Sequence, residues 1–247
     1  MNKYFKTFIT NNCDTDEDGF LRVDRILAHM AETSTLHSNA LGLSIDEIRK
    51  NHYGWMLINW ELEIEEYPRL NDTINLVTWT SGFNKFYARR EFLMLDLKDN
   101  IIAKASSLWV FLDINKRKPI RIPTNITKKY SILEEKNFSE FSRIEIQGEL
   151  TFNSDEFKVN LEDLDENNHV NNIKYIEWLF LGLSDMQKEY KIRKLAINYK
   201  KELLMNDCVH TQIVEGKDAN ILYHKILTED NLNALACSFW KKKETSN

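Results

Sequence analysis

The 247-residue sequence predicts an α+β fold built from two copies of one unit, each a long helix followed by a curved antiparallel sheet. Three observations predict it. Runs of period-two hydrophobicity mark strands, one stretch of helical periodicity appears in each half, and short segments of the first half recur in order in the second.

In the first half, Val23, Ile26, Leu27, Met30, Ala31 and Ser34 recur at the spacing that puts side chains on one face of a helix. The run 55–67, WMLINWELEIEEY, then alternates. Met56, Ile58, Trp60, Leu62 and Ile64 take one face and Asn59, Glu61, Glu63 and Glu65 the other, as in a half-buried strand. Similar runs at 73–80, 86–97 and 104–113, separated by the turn-rich PRLND and KDN, continue it as an antiparallel meander. In the second half, Ile173, Ile176, Leu179, Phe180, Leu183 and Met186 mark one helix, and strand-like runs follow near 195–203, 208–215, 221–228 and 233–241. AKASSLW at 103–109 matches ALACSFW at 234–240 in Ala, Ala, Ser and Trp, and LND at 70–72 resembles MND at 205–207. Such an echo fits duplication of a unit of about 110 residues. Between the copies, from NKRKPIRIP onward, the chain is charged and without clear period. The domains are therefore drawn at 1–125 and 149–247, with 126–148 as linker.

A 43% hydrophobic content supports a sizeable core, and 33 Lys+Arg against 38 Asp+Glu leave a formal charge of -5, without the basic excess of a nucleic-acid binder. The opening MNKYFKTFITNN has no apolar signal region and no Ser/Arg-rich transit character, and no stretch nears the roughly 20 apolar residues that span a bilayer. A cytoplasmic, bacterial-type protein is expected, with no membrane partner. Cys13, Cys208 and Cys237 are odd in number and widely spaced, which argues against a disulfide framework or a metal site and for small core residues.

The most unusual stretch is DENNHVNN, 165–172, immediately before the second helix. Aligning the halves by their helices sets Asp165 against Asp16, Asn167 against Asp18 and His169 against Phe20, so the polar set is complete in one copy only. Capping of a helix start explains one or two such residues. It does not explain His169. A purely structural need should recur in both copies, whereas a chemical site can survive in one. An imidazole able to move protons near neutral pH, set among short polar side chains at a helix start, suits addition to a carbonyl. His29, His37, His52, His210 and His224 are expected to be ordinary surface or satisfied histidines.

DLDENNHVNNIKYIEW at 163–178 resembles the signature of the fatty acyl-acyl carrier protein thioesterases. TWTSGFNKFYARREF at 78–92, SSLWVFLDINKRKPIRIP at 106–123 and INYKKELLMND at 197–207 are also similar to family segments, so the resemblance covers nearly the whole chain. It implies two tandem hotdog domains, an acyl-binding N-terminal one and a catalytic C-terminal one. It further implies Asp165, Asn167, His169 and Glu202 as the catalytic group. Plant members often carry a cysteine directly after that acid, and Leu203 stands there in this chain. A carboxylate-and-water mechanism is thus expected, without metal or organic cofactor.

In that mechanism Glu202, helped by His169, activates water; Asn167 orients nucleophile or carbonyl; Asp165 holds the loop. The backbone N–H groups of Val170 and Asn171 are candidate oxyanion donors. An alternative makes Asp165 a nucleophile forming an acyl anhydride. The resemblance places the acyl chain beside Met30, Thr33 and Leu36, residues that equally suit a plain core. The acidic acyl carrier protein, as partner, would need local positive charge. Lys116, Arg117, Lys118 and Arg121, with Lys128 and Lys129, form the best cluster. A hotdog acyl-CoA thioesterase, a non-catalytic acyl-binding protein and a hotdog dehydratase remain as alternatives. So do chain-length preference and further pairing into a homodimer.

Overall fold

The computed structural model describes residues 3–218 and 220–243, and it divides into two compact units, Met1–Glu140 and Phe141–Asn247. The first unit contains β1 (Tyr4–Ile9), α1 (Val23–Ala40), α2 (Ile45–Arg49), β2 (Tyr53–Ile64), β3 (Thr73–Asn84), β4 (Tyr87–Leu95), β5 (Ile101–Asp113), β6 (Lys118–Pro119) and α3 (Thr124–Thr127). Its antiparallel sheet runs β1-β3-β4-β5-β2, with β6 on β5. The periodic face of α1 becomes core: Ile26, Leu27 and Met30 are inaccessible to solvent, as are Trp79, Phe92 and Phe111 of the sheet.

The second unit repeats the plan with β7 (Gly148–Asn153), β8 (Phe157–Lys158), α4 (Asn172–Leu179), α5 (Ser184–Glu189), β9 (Tyr190–Tyr199), β10 (Cys208–Gly216), β11 (Ile221–Thr228) and β12 (Asn231–Lys242). Its sheet order, β7-β10-β11-β12-β9, is the first unit's order with each strand replaced by its sequence counterpart. Each unit is a hotdog, a helix laid against an antiparallel sheet, so the tandem hotdog architecture implied by the resemblance is the fold.

Three departures from the sequence expectations have physical causes. The second helix is not continuous through Met186: α4 stops at Leu179 and α5 starts at Ser184. Between them Gly182 sits at φ 81, and a Cβ there would come within 2.5 Å of the Phe152 ring on β7. Hydrophobic period cannot register that constraint. Second, the charged stretch after 125 is not a free connector up to residue 148, because residues through 140 belong to the first unit. There Glu91 is fully buried, held by Arg89 Nε at 2.7 Å, Ser81 Oγ at 2.7 Å, Ser106 Oγ, and the Asn137 N–H at 3.1 Å. Asn137 Nδ2 also donates to Phe92 O at 2.9 Å and Ala105 O at 2.8 Å. A buried carboxylate must be satisfied, and the strap from Leu133 to Ser139 helps to satisfy it. Third, Cys13 and Cys208 are exposed and only Cys237 is partly buried, so two of the three cysteines are not core residues; all three are free thiols. Among the described residues no helix is long and apolar enough to cross a membrane.

Candidate active site

The polar stretch before α4 is a tight loop closed by Asp165. Its Oδ1 accepts the backbone N–H groups of Asn167 at 2.7 Å and His169 at 3.2 Å, and its Oδ2 accepts Asn167 Nδ2 at 3.1 Å. Its own N–H donates to His169 O at 2.7 Å, and Asn168 takes φ 60 at the tip. Short Asp and Asn side chains favour such turns because they can replace backbone partners locally.

The first unit builds the same loop. Asp16 Oδ1 accepts from Asp18 N at 3.1 Å and Phe20 N at 2.9 Å, Asp16 N donates to Phe20 O at 2.8 Å, and Gly19 takes φ 77 where Asn168 stands. A second turn beneath the loop is also duplicated. Leu204 N donates to Asp207 Oδ2 at 2.9 Å, as Arg69 N does to Asp72 Oδ2 at 2.7 Å, and Asn206 and Asn71 share φ 70. Loop and turn are tied by Val170 N to Leu203 O at 2.9 Å in one copy and Leu21 N to Pro68 O at 2.8 Å in the other. The backbone therefore superposes role for role, and the side chains that differ stand out.

Glu202 occupies the place of Tyr67, and His169 the place of Phe20. His169 Nδ1 lies 3.6 Å from Glu202 Oε1, with the two side chains 29% and 46% exposed. In the first unit Phe20 instead carries the Arg69 guanidinium at 4.4 Å over its ring. At this matched place in the loop only the second copy presents an acid–imidazole pair; the first unit's own such contact, His29 Nε2 at 3.4 Å from Asp14 Oδ2, is more buried and joins α1 to the chain before the loop. At 3.6 Å the pair is looser than a direct hydrogen bond yet too close for a water between the two heteroatoms, so an activated water belongs beside the pair.

Asp165, Asn167, His169 and Glu202 come together through these contacts. Val170 and Asn171 share the loop, but their backbone N–H groups are engaged by Leu203 O at 2.9 Å and Asp163 O at 2.8 Å. Neither is available to an oxyanion, because closing the duplicated loop requires both bonds. Leu203 is fully buried, with its carbonyl facing Val170. Met30 and Thr33 are buried on α1, Thr33 donating its hydroxyl to His29 O at 2.7 Å, and Leu36 is half-buried. Lys116, Arg117, Lys118 and Arg121 are exposed around β6, with Lys116 Nζ 3.3 Å from Asp113. Lys128 and Lys129 are exposed beyond α3. Sequence reasoning does not reach the buried first-unit group in which Arg90 Nη1 meets His37 Nδ1 at 3.0 Å and Ser38 Oγ meets Tyr130 OH at 3.0 Å. Burial, then the Arg90 charge, lowers His37 to about 4. Among the described residues no three His, Cys, Asp or Glu side chains are grouped to hold a metal ion.

Two hotdog units whose matched loops differ by the solvent-accessible His169–Glu202 pair of the second define a tandem hotdog protein with that pair as its candidate centre. The chain belongs to the acyl-acyl carrier protein thioesterase family. The family's N-terminal domain model matches residues 1–130 and its C-terminal domain model residues 147–242. Among relatives, oleoyl-acyl carrier protein thioesterase 1, chloroplastic, of Arabidopsis thaliana is 22% identical over 83% of this chain and 62% of its own length. The chloroplastic dodecanoyl-[acyl-carrier-protein] hydrolase of Cinnamomum camphora is 24% identical over 83% of this chain and 58% of its own. The chain thus spans less than two thirds of the length of these curated relatives. Two solved structures share the fold. An acyl-ACP thioesterase from Bacteroides thetaiotaomicron has TM-score 0.86 and 21% identity, covering 97% of this chain and 98% of that one. The 12:0-ACP thioesterase from Umbellularia californica has TM-score 0.88 and 20% identity, covering 98% of each chain.

Proposed function

We propose that this protein hydrolyses the thioester of a fatty acyl group carried on acyl carrier protein, releasing the free acid and the carrier thiol. The observation that carries the reading is the His169–Glu202 pair at 3.6 Å, present on one of two otherwise matching loops in a member of this family. Water beside the pair loses a proton to Glu202 or His169 as it attacks the thioester carbonyl; the tetrahedral intermediate then expels the thiolate, which takes a proton back. The exposed side-chain amide of Asn167 orients the carbonyl. Asp165 is a loop-closing acceptor rather than a nucleophile: three N–H groups hold its two oxygens, and Asp16 makes the same two backbone contacts in a loop that carries Phe20 in place of the imidazole.

In this reading the acyl chain lies in the first unit along the α1 side that carries Met30, Thr33 and Leu36. The basic group Lys116, Arg117, Lys118 and Arg121 receives the acidic carrier, since opposite charge speeds encounter and fixes orientation. Turnover of matched acyl-carrier-protein and acyl-CoA substrates by the parent, His169→Ala and Glu202→Ala proteins tests it. The reading expects preference for the carrier protein and loss of turnover in both variants. A clear preference for CoA, or undiminished turnover in either variant, overturns it.

A further inference from the structure

The comparison of copies that isolates His169 and Glu202 also isolates three polar residues around them, Tyr175 and Asn233 buried and Tyr199 half-buried. Tyr175 on α4 is 3% exposed and donates its hydroxyl to Lys201 O at 3.4 Å. Its hydroxyl thus touches the peptide directly before Glu202. Asn233 at the start of β12 is 1% exposed. Its carbonyl accepts Lys200 N at 2.9 Å and Lys201 N at 3.2 Å, its Nδ2 donates to Lys201 O at 3.4 Å, and its Oδ1 accepts Thr228 N at 3.1 Å. Tyr199, the last residue of β9, donates to Asn172 O at 3.1 Å, at the first residue of α4. The two tyrosines meet edge to face with ring centroids 5.3 Å apart. One therefore reaches from the helix to the acid's segment, and the other from the strand below the acid to the helix that follows the histidine loop.

In the first unit the matching positions follow from the shared hydrogen bonds. Glu65 N and Glu66 N bond to Ile102 O as Lys200 N and Lys201 N do to Asn233 O, which pairs Ile64 with Tyr199 and Ile102 with Asn233. The helix starts pair Ile26 with Tyr175. All three are isoleucines, 0%, 4% and 0% exposed for Ile26, Ile102 and Ile64. Isoleucine thus satisfies this fold at each position. Burying a phenol or amide instead costs desolvation that a hydrogen bond roughly offsets, so stability alone gives no reason for the exchange. Holding the Lys200–Lys201 peptides that lead into Glu202, and the start of α4, does.

We propose that Tyr175, Tyr199 and Asn233 are positioning residues that fix Glu202 against His169. The inference rests on the hydrolytic reading above. Because they act through Glu202, loosening them costs turnover rather than binding, and costs nothing where Glu202 cannot act. Burial pushes both phenols up, so the hydroxyls remain donors throughout the neutral range.

The test uses the full chain with dodecanoyl- and oleoyl-acyl carrier protein as probes, and Tyr175→Phe, Tyr199→Phe and Asn233→Ile, each alone and combined with Glu202→Gln. Urea unfolding is measured alongside. The expected result is a fall in kcat of about tenfold for Tyr175→Phe and Asn233→Ile with KM changed by less than about twofold, since small misplacements of a catalytic group are costly. In the Glu202→Gln background the same substitutions should change kcat by less than about twofold. Parent-like kcat in the variants while Glu202→Gln alone is impaired overturns the positioning role and leaves the hydrolytic reading intact. Equal losses in both backgrounds, or losses that track unfolding, also overturn it. If Glu202→Gln alone keeps full turnover, the hydrolytic reading itself fails and the frame has nothing to position.

Discussion

Lowering the pH from 7 to 5 should destabilise the second unit through His224, a residue outside the candidate site. Its ring is 1% exposed on β11, with Nδ1 2.8 Å from Leu179 O and Nε2 2.7 Å from Ser238 Oγ. A carbonyl can only accept, so Nδ1 carries the proton and Nε2 accepts from the serine, whose oxygen in turn accepts Trp240 Nε1 at 2.7 Å. A second ring proton would have to turn the serine hydroxyl away to Leu222 O, a long 3.5 Å contact, and would place a charge in the core. Burial lowers the imidazole from 6.5 to about 4, with the Leu179 carbonyl opposing the shift. Below the unfolded value the unfolded chain binds a proton that the folded chain refuses, so stability falls with pH between about 6.5 and 4 and levels off below. The slope approaches about 1.4 kcal/mol per pH unit, and integrated from pH 7 to pH 5 the loss is about 2 kcal/mol. Urea unfolding followed by tryptophan fluorescence at the two pH values, on the parent and on His224→Gln, reads it directly. Glutamine removes the titration while keeping a donor and an acceptor. The variant should lose about 2 kcal/mol less than the parent over that interval. An identical pH dependence in the two proteins would refute the reasoning.

Other outcomes follow from single contacts. Gly182→Ala should destabilise the second unit by more than about 1 kcal/mol in the same unfolding assay, because φ 81 disfavours a side chain and the new Cβ meets the Phe152 ring at 2.5 Å. Asn137→Ala should cost about 1–3 kcal/mol in the first unit by stripping the side-chain donor from Phe92 O and Ala105 O, and should speed proteolysis of the strap after residue 130. Replacing Lys116, Arg117, Lys118 and Arg121 together by glutamate should raise KM for acyl carrier protein about tenfold or more while leaving hydrolysis of a small uncharged acyl thioester unchanged; equal effects on both would remove the docking role.

Much of this molecule is legible in its sequence, for identifiable reasons. The alternation from Trp60 to Ile64 fixes the second part of β2, but the expected face of Met56 and Ile58 is lost at a bulge between Leu57 and Asn59, which buries Leu57 instead; the 3.6-residue pattern fixes α1. The duplication is visible in a few matched residues and turns out to extend to individual loop hydrogen bonds. The break after Leu179 is hidden because it depends on Phe152, thirty residues away in β7. The strap is hidden because nothing in residues 126–140 announces that Glu91 needs them. His169 and Asn167 are conspicuous as a polar cluster before an apolar helix, whereas Glu202 is one carboxylate among many and becomes distinct only through the family resemblance or the structure. Tyr175 looks like one more residue of its helix's apolar face. Only position-by-position comparison of the copies separates it from Ile26.

Single-turnover hydrolysis of acyl-carrier protein by the parent, Glu202→Gln, His169→Ala and the double variant measures the central claim directly. A pair acting as one unit predicts that each single change lowers the rate by about 100-fold or more and that the double change is scarcely worse than either. Losses that multiply, or a Glu202→Gln protein as fast as the parent, would contradict it.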